Sequence, residues 1–134
     1  MTLETKAYWT ATGLFCLILL FSGIAHFTHV EFIVEAMAHL GYPLYFMTVI
    51  GLAKILGVAA LLAPGRPLLK EWAYAGFTFN LLGATASHAF SGDPMSEAIR
   101  PFLVLFLLAA SYRLRPDARR LPCGDFARPA PQAA

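Results

Sequence analysis

Lys54 is the residue whose position most demands a chemical explanation. It is the eleventh residue of an apolar run from Leu44 to Ala63. An ammonium at the centre of such a run has lost its water, so it must face protein or a wet cavity, and it needs a hydrogen-bond acceptor. Asn80 lies at a similar depth in the following apolar block, and its side-chain carbonyl can accept that bond. A lysine of this kind can bind an anionic or carbonyl-bearing ligand or relay a proton. It can equally serve as an interhelical clamp, and the residues support both readings alike.

Four histidines follow: His26, His29, His39 and His88. His26 and His88 close segments of similar make-up, Ser22-Gly23-Ile24-Ala25-His26 and Gly83-Ala84-Thr85-Ala86-Ser87-His88. Small residues there let helices approach closely. Glu31, Glu35, Asp93 and Glu97 fall on the same side of the chain's expected topology. A histidine–carboxylate group can hold a divalent metal, and two helical histidines can hold a haem iron. A metal site needs three or four converging ligands, and no HExxH spacing is present. Histidines bonded to headgroups, carboxylates or neighbouring helices are therefore the favoured reading. The two cysteines, Cys16 and Cys123, form no CxxC pair, which argues against disulfide exchange. No nucleophile–base arrangement, phosphate loop or dinucleotide glycine pattern occurs either.

The elements that must position these residues are four apolar blocks, at about 7–27, 44–63, 72–90 and 96–115. A helix of roughly 20 residues crosses a hydrocarbon core of about 30 Å. The first three blocks meet that length. The fourth has a short apolar centre and spans only with Arg100 and Arg113 reaching to the two interfaces. Pro43, Pro64-Gly65-Arg66-Pro67 and Gly92-Asp93-Pro94 punctuate the blocks, and no proline interrupts the first three. Tyr8, Trp9, Tyr42, Tyr45, Trp72, Tyr74 and Tyr112 cluster at block ends, as in an aromatic belt. The first block contains a small-x-small triplet, Gly23-Ile24-Ala25, but is longer than a cleaved leader's apolar region and is expected to be retained. Between the first two blocks, Phe32, Ile33, Ala36, Met37 and Leu40 recur at helical spacing, with Glu31, Glu35 and His39 on another face and Gly41 as a stop. This predicts a short amphipathic helix on the outer surface.

Faces of small or polar residues run along the blocks: Thr12, Cys16, Gly23 and His26 on the first; Gly51, Lys54 and Gly57 on the second; Gly76, Asn80, Gly83, Ala84 and Ser87 on the third. They are expected to turn inward, with Leu and Phe toward lipid. Helix packing accounts for them; the alternative is a small inner cavity around Lys54 and Asn80.

Composition agrees. Of 134 residues, 58% are hydrophobic and 13% charged, with a mean hydropathy of +0.62. A soluble domain carries about twice that charge fraction, and a disordered chain would be far less apolar. The net charge of +2 is unremarkable, but its distribution is not. With the N-terminus inside, Lys6, Arg66, Lys70, Arg113, Arg115, Arg119, Arg120 and Arg128 all fall on the inner side, and only Arg100 on the outer. The bias puts both termini in the cytoplasm. The expectation is an all-α, four-helix transmembrane bundle, N-in and C-in, over residues 1–115, followed by a flexible basic tail over 116–134. The protein is expected in the cell membrane as a multi-pass chain. A topogenic role for the arginines leaves no reason to invoke nucleic acid.

The stretches Gly51-Leu-Ala-Lys54-Ile-Leu-Gly57, Leu69-Lys-Glu71-Trp72-Ala-Tyr74-Ala-Gly76-Phe, Asn80-Leu-Leu-Gly83-Ala and Ser87-His88 resemble the DoxX-like integral membrane proteins, over roughly residues 8–113. The resemblance implies four membrane helices. The family takes its name from the membrane subunit of a thiosulfate:quinone oxidoreductase, other members are tied to membrane redox complexes, and distant relatives act as membrane chaperones. Where relatives often carry an acidic residue midway along the third helix, this chain has Asn80, so a Lys–carboxylate pair becomes a Lys–amide pair.

Two readings follow. In the first, the chain is an accessory subunit of a redox-linked complex rather than an enzyme by itself. Its bundle holds a quinone or similar lipophilic ligand at Lys54, Asn80, His26, Ser87 and His88; haem or a divalent metal is a less favoured occupant. In the second, it is a non-enzymatic scaffold or assembly factor for another membrane protein. A small-solute carrier is a weaker third, because the echo between the His26 and His88 segments is slight. Partners are the lipid bilayer, another membrane protein or redox subunit, and a second copy of the chain.

Overall fold

A computed structural model describes residues 1–122. Five α-helices make up the described chain: α1 (Leu3–Phe27), α2 (Glu31–His39), α3 (Leu44–Leu62), α4 (Pro67–Phe90) and α5 (Met95–Arg113). A 3₁₀ turn (Asp117–Arg119) follows. The ends obey local rules. Thr2 caps α1 by accepting the Thr5 N–H at 3.2 Å, and Pro67 opens α4, where its missing N–H costs nothing. Gly41, expected to stop α2, has φ +82° and lies just past its end.

α1, α3 and α5 are long and apolar enough to cross a membrane. α4 is 24 residues long but is not among them. The third block thus has the expected length but not the apolar composition, and the fourth is more apolar than expected. α4 carries Lys70 and Glu71 near its start and Thr78, Asn80, Thr85 and Ser87 along its length, whereas the polar residues of α5 lie toward its ends. An apolar girdle of exposed side chains, among them Leu17, Phe21, Val49, Leu56, Leu103 and Phe106, surrounds the long helices. Lipid suits such a surface; water does not.

The long helices pack in the cyclic order α1, α3, α4, α5, with the tightest pairings between α1 and α3 and between α4 and α5. Phe15, Cys16 and Leu19 of α1, Val58 and Leu61 of α3, Tyr74, Phe77 and Leu81 of α4, and Leu108 of α5 form the core. At one level of the core three hydroxyls meet. Ser111 bonds Thr12 at 2.6 Å and Tyr74 at 2.8 Å, and Thr12 and Ser111 are wholly buried.

The small-residue faces of α1 and α3 do turn inward. A Cβ on Gly51 would lie 2.6 Å from the Phe27 nitrogen and 2.8 Å from the Gly23 carbonyl oxygen, so the two backbones touch there. The face expected on α4 turns toward α3 at Gly76 and Asn80, but its glycines pack against nothing. Gly76 and Gly83 are exposed, and a Cβ on either meets nothing within 4 Å. The buried side of α4 is Tyr74, Phe77 and Leu81, because the centre between four helices is too wide for glycines to fill.

The end of the bundle opposite α2 is tied by cations. Arg119 donates to the Leu61 carbonyl at 2.8 Å and lies over the Trp9 ring, and Lys70 donates to the Ala60 and Ala63 carbonyls. Together they satisfy the free carbonyls at the C-terminus of α3. Arg115, only 4% exposed, pairs with Glu71 at 2.6 Å and lies 3.9 Å from the Tyr112 ring centre. Within the expected tail, Arg119 is therefore bound to the bundle; Cys123, Arg128 and the rest of the tail lie outside the described residues.

Candidate binding site between α3 and α4

Lys54 reaches its place because α1 and α3 touch. A Cβ on Gly23 would lie 3.0 Å from the Lys54 Cβ, so a bare backbone opposite lets the lysine stem lie flat between the helices. The residue is 8% exposed, and its Nζ donates to Ser22 Oγ at 3.0 Å. Ser22 is also the point to which His26 is anchored, since His26 Nδ1–H donates to the Ser22 carbonyl at 2.7 Å. The ammonium has three N–H donors, and Ser22 occupies one of them.

Beside Lys54, between α3 and α4, is a cavity of about 190 Å³. Ile50, Ala53, Gly57, Phe77 and Asn80 share its wall with Lys54, and the exposed Trp72 and Gly76 belong to the same lining. The lining is apolar apart from Lys54 and Asn80. Ligand pockets run from about 300 to 1,000 Å³, while about 150 Å³ takes a benzene, so this cavity suits a single ring with its tail outside. Its floor is set by the Phe77 ring, which occupies the space that a side chain at residue 57 would need; a Cβ on Gly57 would lie 2.6 Å from that ring.

The five residues singled out in the sequence divide between two places. Lys54 and Asn80 share the cavity, with Ser22 rather than Asn80 accepting from Lys54, and His26 is linked to Lys54 through Ser22. Ser87 and His88 belong to the α2 end. There Asp93 accepts from His88 Nδ1 and from His39 Nε2, each at 2.6 Å. These two bonds, His88 first, hold the Asp93 carboxyl below the usual carboxylate range. Ser87 donates to the Gly83 carbonyl at 2.8 Å, so Tyr42 O–H donates to Ser87 at 2.6 Å, joining the α2–α3 connection to α4. His29, in a left-handed turn at φ 53°, bonds Thr48 at 2.9 Å. Among the described residues no three His, Cys, Asp or Glu side chains converge on a metal position.

Sequence reasoning missed Ser22 as the partner of Lys54. The residue stood in the Ser22–His26 segment, where it counted only as small. The Thr12–Ser111–Tyr74 cluster and the Glu71–Arg115 pair were also missed. They join residues far apart in the chain, and no local spacing announces them.

Compared with known proteins, the chain is matched over residues 10–111 by the model of the DoxX-like family. No curated protein and no solved structure matches it.

Proposed function

We propose that this chain, which belongs to the DoxX-like family, is an accessory subunit of a redox-linked membrane complex and holds the ring of a quinone or similar lipophilic carbonyl compound between α3 and α4. The observation that carries this reading is one cavity, sized for a ring, with Lys54 and Asn80 as the polar residues of an otherwise apolar wall. Lys54 Nζ has donors left for a carbonyl oxygen, and the Asn80 amide can hold a second polar atom of the ring. His26 and Lys54 bond different atoms of Ser22, so no proton passes between them there, and the role left to His26 is proton exchange toward the α2 end through its Nε2, unbonded among the described residues. The chemistry of electron transfer would belong to the ligand and its partner subunit; this chain supplies orientation and a dry site.

The reading includes a topology. Residues 1–115 form a four-helix transmembrane domain, with α4 crossing alongside α3 and α5 despite its polar residues. Both termini lie in the cytoplasm, and 116–134 form the basic tail. α2 lies on the outer surface of the cell membrane.

The second reading is a scaffold or assembly factor, working as a homo-oligomer or on a partner membrane protein, in which Lys54 is a clamp. It is favoured by the Lys54–Ser22 bond, which ties α3 to α1 with no ligand. Native mass spectrometry and absorption spectra of protein purified in mild detergent separate the two. Under the first reading the wild type retains a near-stoichiometric lipophilic compound and Lys54→Met loses it while keeping its fold. A variant that melts lower, with no compound lost because none was carried, supports the clamp.

A further inference from the structure

A second recess lies on the other side of α4, facing away from Lys54. A groove of about 400 Å³ runs between α4 and α5, over Ala75 and Thr78 on one wall and Leu105, Leu108 and Ala109 on the other. Glu71, Tyr112 and Arg113 stand at its end. From Glu71 to Thr78 the helix rises about 10 Å, enough for the upper part of one acyl chain.

The charges at that end are unequal. Glu71 is already neutralised, accepting from Arg115 at 2.6 Å and from Tyr112 O–H at 3.0 Å. Arg113 is exposed and has no acidic partner among the described residues. This end of the molecule gathers Lys6, Arg66, Lys70, Arg113, Arg115, Arg119 and Arg120 against Glu4, Glu71 and Asp117, an excess of four positive charges among the described residues. At the α2 end Glu31, Glu35, Asp93 and Glu97 face only Arg100, an excess of three negative charges with the histidines neutral. An anion is therefore drawn to the groove's end of the molecule and repelled from the other.

We infer that the α4–α5 groove binds a phospholipid of net negative headgroup charge, its acyl chain lying over Thr78, Leu105 and Ala109 and its phosphate paired with Arg113, where the ammonium of a zwitterionic headgroup would be repelled by the surrounding cations. The guanidinium fork matches a phosphate, and the half-exposed Tyr112 ring beside it is of the amphipathic kind that favours the boundary of headgroup and chain. A free phosphate would gain nothing from the apolar floor.

Native mass spectrometry of the full chain in mild detergent, with phosphatidylglycerol or phosphatidylcholine of the same acyl chains added, tests this. Phosphatidylglycerol is retained about fivefold better, the factor one arginine contributes at a membrane surface. Arg113→Gln brings it down to the phosphatidylcholine level. Ala109→Phe, at an exposed position, fills the groove and lowers retention of both lipids. Equal retention of the two lipids by the wild type, or no effect of Arg113→Gln, overturns the assignment. Loss of the headgroup preference in Arg113→Gln with undiminished binding of both lipids in Ala109→Phe overturns the groove as the chain's seat. None of these outcomes bears on the Lys54 cavity, which lies on the other side of α4.

Discussion

Ser111 holds more of the bundle than its size suggests. It is the shared partner of Thr12 on α1 and Tyr74 on α4, and all three hydroxyl groups are out of reach of water. Ser111→Ala leaves two buried hydroxyls to find new partners. Interhelical hydrogen bonds in membranes are worth about 0.5–2 kcal/mol, so the variant is expected to unfold at lower temperature by that measure, read by thermal denaturation in detergent. Asp93 acts at the opposite end, outside the apolar girdle. Its carboxyl is held below the usual value of 3.8 by His88 and His39, so the folded state favours the ionised form. The stabilisation is complete above that usual value and disappears as pH falls through the lower folded one. Asp93→Asn is expected to be less stable than the wild type near neutrality, with the gap closing in acid. A gap that does not depend on pH contradicts the assignment.

At the scale of helices, the glycines separate into two kinds. Gly51 faces backbone atoms that cannot withdraw, so Gly51→Ala must push α1 from α3 and is expected to cost about 1–3 kcal/mol. Gly83 faces open space, and Gly83→Ala is expected to be neutral or to stabilise by up to about 1 kcal/mol through helix propensity. Paired melting curves check both, and equal effects would refute the packing described here. The sequence alone did not separate them. Apolar block length and proline punctuation located every long helix, and the Phe32–Leu40 pattern located α2. Which residues of α4 pack into the core was misjudged, because small residues mark close contact only where two backbones meet. Phe77 and Leu81 are needed instead where the space between helices is wide. Lys54 and Asn80 were legible as candidates because polarity inside an apolar run is a local signal. The Ser22 bond was not, because it depends on how α1 and α3 are rotated.

For the molecule as a whole, the unequal charge of its two ends sets a test of the proposed topology. With Cys123 replaced by serine, Met95→Cys, at the exposed start of α5, is expected to react with an impermeant thiol reagent applied to intact cells. Arg66→Cys, at the opposite end, reacts only after the membrane is opened. The reverse pattern would invert the orientation. The closeness of α1 to α3 and of α4 to α5 has a consequence for how the polypeptide can be divided. Each close pair is contiguous in the chain, and the link between them turns at the exposed Gly65 with φ +63°. A gene split at that turn encodes two hairpins, each burying its own tightest contact before it meets the other. Co-expressed as separate pieces, they are expected to find one another in the bilayer through the Tyr74–Ser111–Thr12 hydroxyls and the Arg119 cap, and to co-purify as one particle.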